Sequence, residues 1–84
     1  MVHLVKAYIL INSVPGMVWD IAEAAIKIEG VKMANAVTGQ FDVIAYAEFV
    51  NMNKLREIIH EFMSLNGVQR TRTAIVVPSG LGSQ

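Results

Sequence analysis

Two glycine–valine pairs, Gly30-Val31 and Gly67-Val68, stand at matching places in this chain: each closes a helical stripe and opens an extended run. Leu4 to Asn12 is aliphatic and β-branched and ends in the turn residues Ser13-Val14-Pro15-Gly16, which reads as a strand. From Met17 the apolar positions become Val18, Ile21, Ala22, Ala25 and Ile28, the spacing of one helical face, with Asp20, Glu23 and Lys27 outside it. After Gly30, Val31 to Val37 is a short strand and Phe41 to Val50 a longer one, the two joined by a hairpin at Gly39. Asn51 then caps a second helix that buries Leu55, Ile58, Ile59 and Phe62 and closes at Gly67, and Val68 to Val77 is the last strand. The order is βαββαβ, a pseudo-duplication. It specifies an α+β, ferredoxin-like fold with a four-stranded antiparallel sheet and both helices on one face. Residues 1–78 form one domain, and 79–84, Ser79 to Gln84, read as a loose tail.

Such a sheet leaves one face without helices, and a monomer would cover that face with polar residues. Here the alternation fails. In the first strand Val5, Ala7, Ile9 and Ile11 point one way, yet Tyr8 and Leu10 point the other; in the third, Phe41, Val43, Ala45, Ala47 and Phe49 oppose Ile44, Tyr46 and Val50. Both faces require burial, and with 54% hydrophobic residues in only 84 the chain has more apolar surface than one small core hides. The open face, with Tyr8, Leu10, Ile44 and Tyr46, is therefore expected to be a dimer interface.

Seven basic residues balance seven acidic ones, so no global field draws the chain to nucleic acid or anionic lipid. The absence of cysteine excludes disulfides, thiol catalysis and thiolate metal sites. No uncharged run approaches the ~18 residues of a membrane span, and a soluble, cytoplasmic protein without membrane contact is expected. His3 and His60 lack an orienting partner or co-ligand in the pattern, so neither a catalytic residue nor a metal site is assigned, and no cofactor motif is present. Trp19 lies off the core stripe of the first helix and is expected at a subunit contact, whereas Met17, Met33, Met52 and Met63 are expected to fill gaps in the core or an interface.

The chemistry that remains is concentrated in Thr38-Gly39-Gln40-Phe41-Asp42. Gly39 supplies the positive φ of a tight hairpin, the amides of Gly39 and Gln40 can donate to a carboxylate, and Asp42 can accept from an ammonium group; such a corner suits a zwitterion. Ordinary turn chemistry accounts for the same residues equally well. Thr71 and Thr73 project to one side of the last strand, where they can bond a ligand or serve as strand formers. Arg70 and Arg72 share its other side, with Glu48 across the sheet or a partner subunit as candidate counter-charges.

The βαββαβ order, the hairpin Thr38-Gly39-Gln40-Phe41-Asp42, the Asn-capped helix closing at Asn66-Gly67-Val68 and the strand motif Arg70-Thr71-Arg72-Thr73 together resemble the effector-binding, oligomerising (RAM) domain of Lrp/AsnC regulators, the feast/famine transcription factors. The resemblance covers Leu4 to Val77. It implies a non-catalytic module that binds a free amino acid between dimers, with Gly39, Gln40 and Asp42 on the hairpin side and Thr71 and Thr73 supplying hydroxyls. It also implies homodimers assembled into an octamer or similar ring. Family regulators carry a helix-turn-helix before this domain, whereas here the first strand begins near Met1, so the chain resembles a stand-alone form. It would then act on transcription indirectly, without direct nucleic-acid contact, through a full-length Lrp/AsnC regulator as a possible partner. Two rival readings use the same strand order: an ACT-like regulatory domain, with its ligand at the loop Asn12 to Gly16, and a small dimeric enzyme of monooxygenase or isomerase type, for which no convergent acid–base set is visible. RNA binding is disfavoured, because strands one and three lack the basic and aromatic pattern of an RRM.

Overall fold

The computed structural model describes residues 3–78. In chain order the elements are β1 (Val5–Ser13), α1 (Val18–Ala25), β2 (Val31–Ala36), β3 (Val43–Phe49), α2 (Met52–Met63) and β4 (Val68–Ile75). The four strands form one antiparallel sheet in the order β2-β3-β1-β4, with the first strand of each repeat at its centre. This is the ferredoxin-like arrangement read from the sequence. The tail assigned to 79–84 lies outside the described residues.

Register makes the two sheet faces explicit. Across β1 and β3, Ala7 pairs with Ala47, Ile9 with Ala45 and Ile11 with Val43, and all six are fully buried beneath the helices. The alternate pairs, Tyr8 with Tyr46 and Leu10 with Ile44, lie on the open face. The tyrosine rings tilt together there with centroids 5.1 Å apart, yet Tyr8 remains 42% exposed. Alanines at three of the six central positions leave room for the larger helical residues Ile21, Ile58 and Phe62, which fill the layer between.

The two helices are held differently. Asn51 is extended (φ −159°) and its side chain accepts the Lys54 N–H at 3.0 Å, so α2 has the cap expected of it; Leu55, Ile58 and Phe62 are its buried stripe, with Ile59 only partly buried. Met17 caps α1 without a side-chain bond, and that helix ends at Ala25 rather than running to Gly30. Tighter turns carry the chain on, Lys27 N–H to the Ala24 carbonyl and Ile28 N–H to the Ala25 carbonyl, and bring Ile28 into the core. Of the two places expected for them, core or interface, Met52 and Met63 do not take the core: both are more than half exposed, flanking the buried stripe at the two ends of α2. Met17 does pack against the core, and Met33 is half-buried.

The paired glycines anchor this packing reciprocally. The Gly30 carbonyl accepts from Glu48 N–H (2.9 Å) at the end of β3, and the Gly67 carbonyl accepts from Val14 N–H (2.8 Å) just beyond β1. Each glycine has positive φ and presses on the other repeat's helix. A Cβ on Gly30 (φ +97°) would meet Ile58 Cδ1 at 3.1 Å, and one on Gly67 (φ +92°) would meet Met17 Cβ at 2.7 Å. Gly39 (φ +106°) has the same backbone demand but nothing within 4 Å. Gly39→Ala is therefore expected to cost about 1–2 kcal/mol from backbone strain alone. Gly67→Ala is expected to cost a further 1–3 kcal/mol or so, because Met17 must be displaced. Urea unfolding of the two variants checks this; equal losses would show that the Gly67 clamp yields without resistance.

Candidate functional site

The hairpin between β2 and β3 is fastened to the end of β1 rather than left free. Val37 N–H donates to the Asp42 carbonyl (2.9 Å) to close the turn, and Asp42 N–H donates to the Ile11 carbonyl (2.9 Å). Asn12 Nδ2 donates to the Gln40 carbonyl at 2.8 Å, and Ser13 N–H donates to Asp42 Oδ2 at 2.8 Å. The Asp42 carboxylate thus has a structural role, because it satisfies a half-buried backbone donor where β1 leaves the ladder. On the other side of β1, a register irregularity between Asn12 and Ser13 sets the start of β4, so that Arg70 lies opposite Asn12.

These three segments enclose an open cleft of ≈ 660 Å³ lined by Asn12, Gln40, Asp42, Gln69 and Arg70. Of the ligand residues expected from the sequence, Gln40 and Asp42 line it, with Gly39 exposed in the same hairpin. Thr71 and Thr73 do not join them. They pair with Ile11 and Ile9 and so lie on the helix side of β4, whereas Arg70 and Arg72 lie on the open side. Asn12, Gln69 and Arg70 complete the cleft. The sequence pattern marks Asn12 only through the ACT-like loop and Arg70 only as a charge seeking a partner, and Gln69 not at all; the β1–β4 register is what brings them together. Within the loop Asn12 to Gly16, Asn12 alone lines the cleft.

The cross-sheet partnership of Arg70 or Arg72 with Glu48 does not form. Strand β1 separates β4 from β3, and Glu48 sits at the far end of the sheet opposite Lys6, where its carboxylate accepts from the Tyr46 hydroxyl at 2.9 Å. Partial burial and then the neighbouring Glu48 carboxylate push the Tyr46 phenol above its usual range. Ion pairs among the described residues involve Lys54, with Glu29 at 3.5 Å and Glu57 at 3.3 Å, both exposed. That places no arginine of β4 in an ion pair.

A second cleft, of ≈ 720 Å³, lies at the opposite end of the sheet among His3, Leu4, Lys6, Glu48, Ile75 and Pro78. It is mostly aliphatic. His60 is exposed on the last turn of α2, and Trp19 is 74% exposed on α1. Among the described residues no three His, Cys, Asp or Glu side chains cluster as a metal site, and no helix is long and apolar enough to cross a membrane.

The family model of the Lrp/AsnC ligand binding domain matches residues 6–79. The chain belongs to this family. Among curated relatives it is similar to the HTH-type transcriptional regulator LysM of Sulfurisphaera tokodaii, 27% identical over 74 residues, covering 87% of this chain and 53% of that protein. The chain spans about half the length of the curated relatives it matches. Among solved structures it is similar to TTHA0845 from Thermus thermophilus, with a TM-score of 0.85 at 26% identity, covering 89% of this chain and 95% of that one. It is also similar to the transcriptional regulator NMB0573 of Neisseria meningitidis, solved as a complex with L-Met. There the TM-score is 0.77 at 25% identity, and the match covers 87% of this chain and 49% of that one.

The bond from Ser13 N–H to Asp42 gives that carboxylate a part in the stability of this Lrp/AsnC domain. Asp42→Ala leaves that donor unpaired and is expected to cost about 1–3 kcal/mol of unfolding free energy. Asp42→Asn, which keeps a side-chain oxygen in place, is expected to cost less. Denaturant midpoints of both variants without ligand provide the check, and an unchanged midpoint for Asp42→Ala would mean that water replaces the carboxylate there.

Proposed function

We propose that this Lrp/AsnC domain is a non-catalytic sensor of a free amino acid that couples ligand binding to oligomeric assembly. The observation that carries the reading is the cleft at the hairpin end of the sheet, where a carboxylate, Asp42, and a guanidinium, Arg70, line one polar recess. An amino acid presents the complementary pair, an ammonium group for Asp42 and a carboxylate for Arg70 and the hairpin amides of Gly39 and Gln40. Bonds to charged groups contribute about 1.5–3 kcal/mol each, enough to favour a zwitterion over a neutral analogue. The L-Met bound to the Neisseria relative supports this class of ligand. Thr71 and Thr73, on the other side of β4, lie outside this cleft.

Assembly follows from the open sheet face. Tyr8, Leu10, Ile44 and Tyr46 form a continuous apolar strip across the two central strands, and packing it against a second copy removes it from water. Higher rings are built from such dimers, and a ligand held between them favours the assembled state by mass action. Both helices of the described residues cover the sheet and the formal net charge is zero, so this domain does not itself grip DNA. Its effect on transcription, in the cytoplasm, passes through assembly with DNA-binding chains of the same family, whether separate or continuous with it.

A thermal-shift panel of free amino acids, run with light scattering, tests the reading. Dimers or larger assemblies and a raised melting temperature with at least one amino acid are expected, and Leu10→Glu is expected to yield monomers by placing a charge in the strip. A wild-type monomer at micromolar concentration would remove the assembly argument. A panel in which no amino acid raises the melting temperature would remove the sensor argument.

A further inference from the structure

The open sheet face carries charge as well as apolar surface, and the two signs lie on different strands. Glu48 follows Tyr46 on this face of β3, and Asp42 precedes the strand at its other end. Lys6 of β1 stands opposite Glu48, while Arg72 and Arg70 of β4 stand opposite Leu10 and Asn12. β2 presents the uncharged Met33 and Asn35, opposite Tyr46 and Ile44. Among the described residues neither Lys6 nor these arginines are in an ion pair, although Lys6 and Glu48 are neighbours in the ladder.

The Lys6–Glu48 row is set in apolar surroundings and is already half-buried. On one side stand the two tyrosines, with the Tyr46 hydroxyl bonded to Glu48 Oε2; on the other, the aliphatic cleft adds Leu4 and Val76. A smaller hollow of ≈ 290 Å³ joins Lys6, Tyr8 and Tyr46 to Met33 and Val76. A second copy laid on this face therefore covers charged groups together with the apolar strip, and the counter-charges have to come from that copy.

A two-fold axis that brings two identical faces together lies in the plane between them, with two limiting directions. An axis across the strands lays β3 on β3 and β1 on β1 with their ends exchanged. Glu48 is then carried toward Asp42 of the partner subunit and Lys6 toward Arg70 of the partner subunit, like charge toward like. An axis along the strands lays β3 on the partner's β1 and β2 on its β4, row over row. Lys6 then meets Glu48 of the partner subunit, symmetry repeats the contact, and Arg72 falls over the uncharged strand.

We propose that the open face pairs with a second copy about an axis along the strands, and that Lys6 against Glu48 of the partner subunit decides which chains it accepts. The proposal rests on the assembly reading above. Two reciprocal contacts of opposite charge inside an otherwise apolar interface fix its register and refuse a mismatched chain, because like charges brought together there are strongly disfavoured.

Light scattering and sedimentation of the full chain carrying Lys6→Glu or Glu48→Lys, each alone and the two mixed, test it. Either variant alone is expected to dimerise at least roughly tenfold more weakly than wild type, because its row carries one sign and faces a copy of itself. An equimolar mixture is expected to recover dimer, since an acidic row then faces a basic one. The double variant Lys6→Glu/Glu48→Lys, which only exchanges the two charges, is expected to recover it too. Circular dichroism verifies folding, and recovered dimer itself requires folded chains. Single variants that dimerise as tightly as wild type would overturn the inference and leave the open-face dimer intact. So would a mixture and a folded double variant that both associate no better than the single variants. A monomeric wild type would overturn this inference and the assembly reading together.

Discussion

Each repeat of this domain is locked by a glycine belonging to the other. The carbonyls of Gly30 and Gly67 accept from the chain at the ends of β3 and β1, and their missing side chains let Ile58 and Met17 approach. A short α1 without a side-chain cap would be marginal alone, since brief helices rarely persist without tertiary support. The reciprocal clamp supplies that support. It seats α1 against the turn after α2, and α2 against the turn after α1, so neither helix can shift without loosening both repeats.

The site inherits its geometry from that clamp. Val14, held by Gly67, follows directly on Asn12 and Ser13, the two residues that bind the hairpin. The end of β1 is thereby fixed on both sides: toward β3 by Asp42 and Gln40, toward β4 by the register that places Arg70 opposite Asn12. A polar recess at the meeting of three chain segments is preorganised for the ligand proposed above, because Asn12 and Asp42 are already oriented by bonds that do not involve one. In the proposed function Asp42 serves both purposes at once, with Oδ2 bonded to the backbone and Oδ1 remaining.

The open face obeys a different constraint. Buried alternation on one side of β1 and β3 forces their other residues outward, and those are Tyr8, Leu10, Ile44 and Tyr46. The Tyr8–Tyr46 contact and the Tyr46–Glu48 hydrogen bond arrange part of this surface, but they do not hide it. In the proposed function this face and the hairpin cleft are separate surfaces.

Much was legible in the residues alone. Strand alternation and helical stripes are local periodicities, so the βαββαβ order, the Asn51 cap, the two sheet faces and the Gly39 hairpin all follow from near neighbours in the chain. The positions of Ile59, Met52 and Met63 and the early end of α1 were less legible, because periodicity defines a face without saying how far the neighbouring elements extend over it. The cleft is a tertiary product. Asn12 and Arg70 meet only through the β1–β4 register, and the strand between β4 and β3 keeps Arg72 from Glu48. That Thr71 and Thr73 lie on the side away from Arg70 is local alternation, but that this side is the helix side is set by their pairing with Ile11 and Ile9. Sequence alone determined which residues alternate along each strand; the long-range pairing, set by an irregularity at Asn12 and Ser13 and held by the glycine clamps, decided which of them face one another.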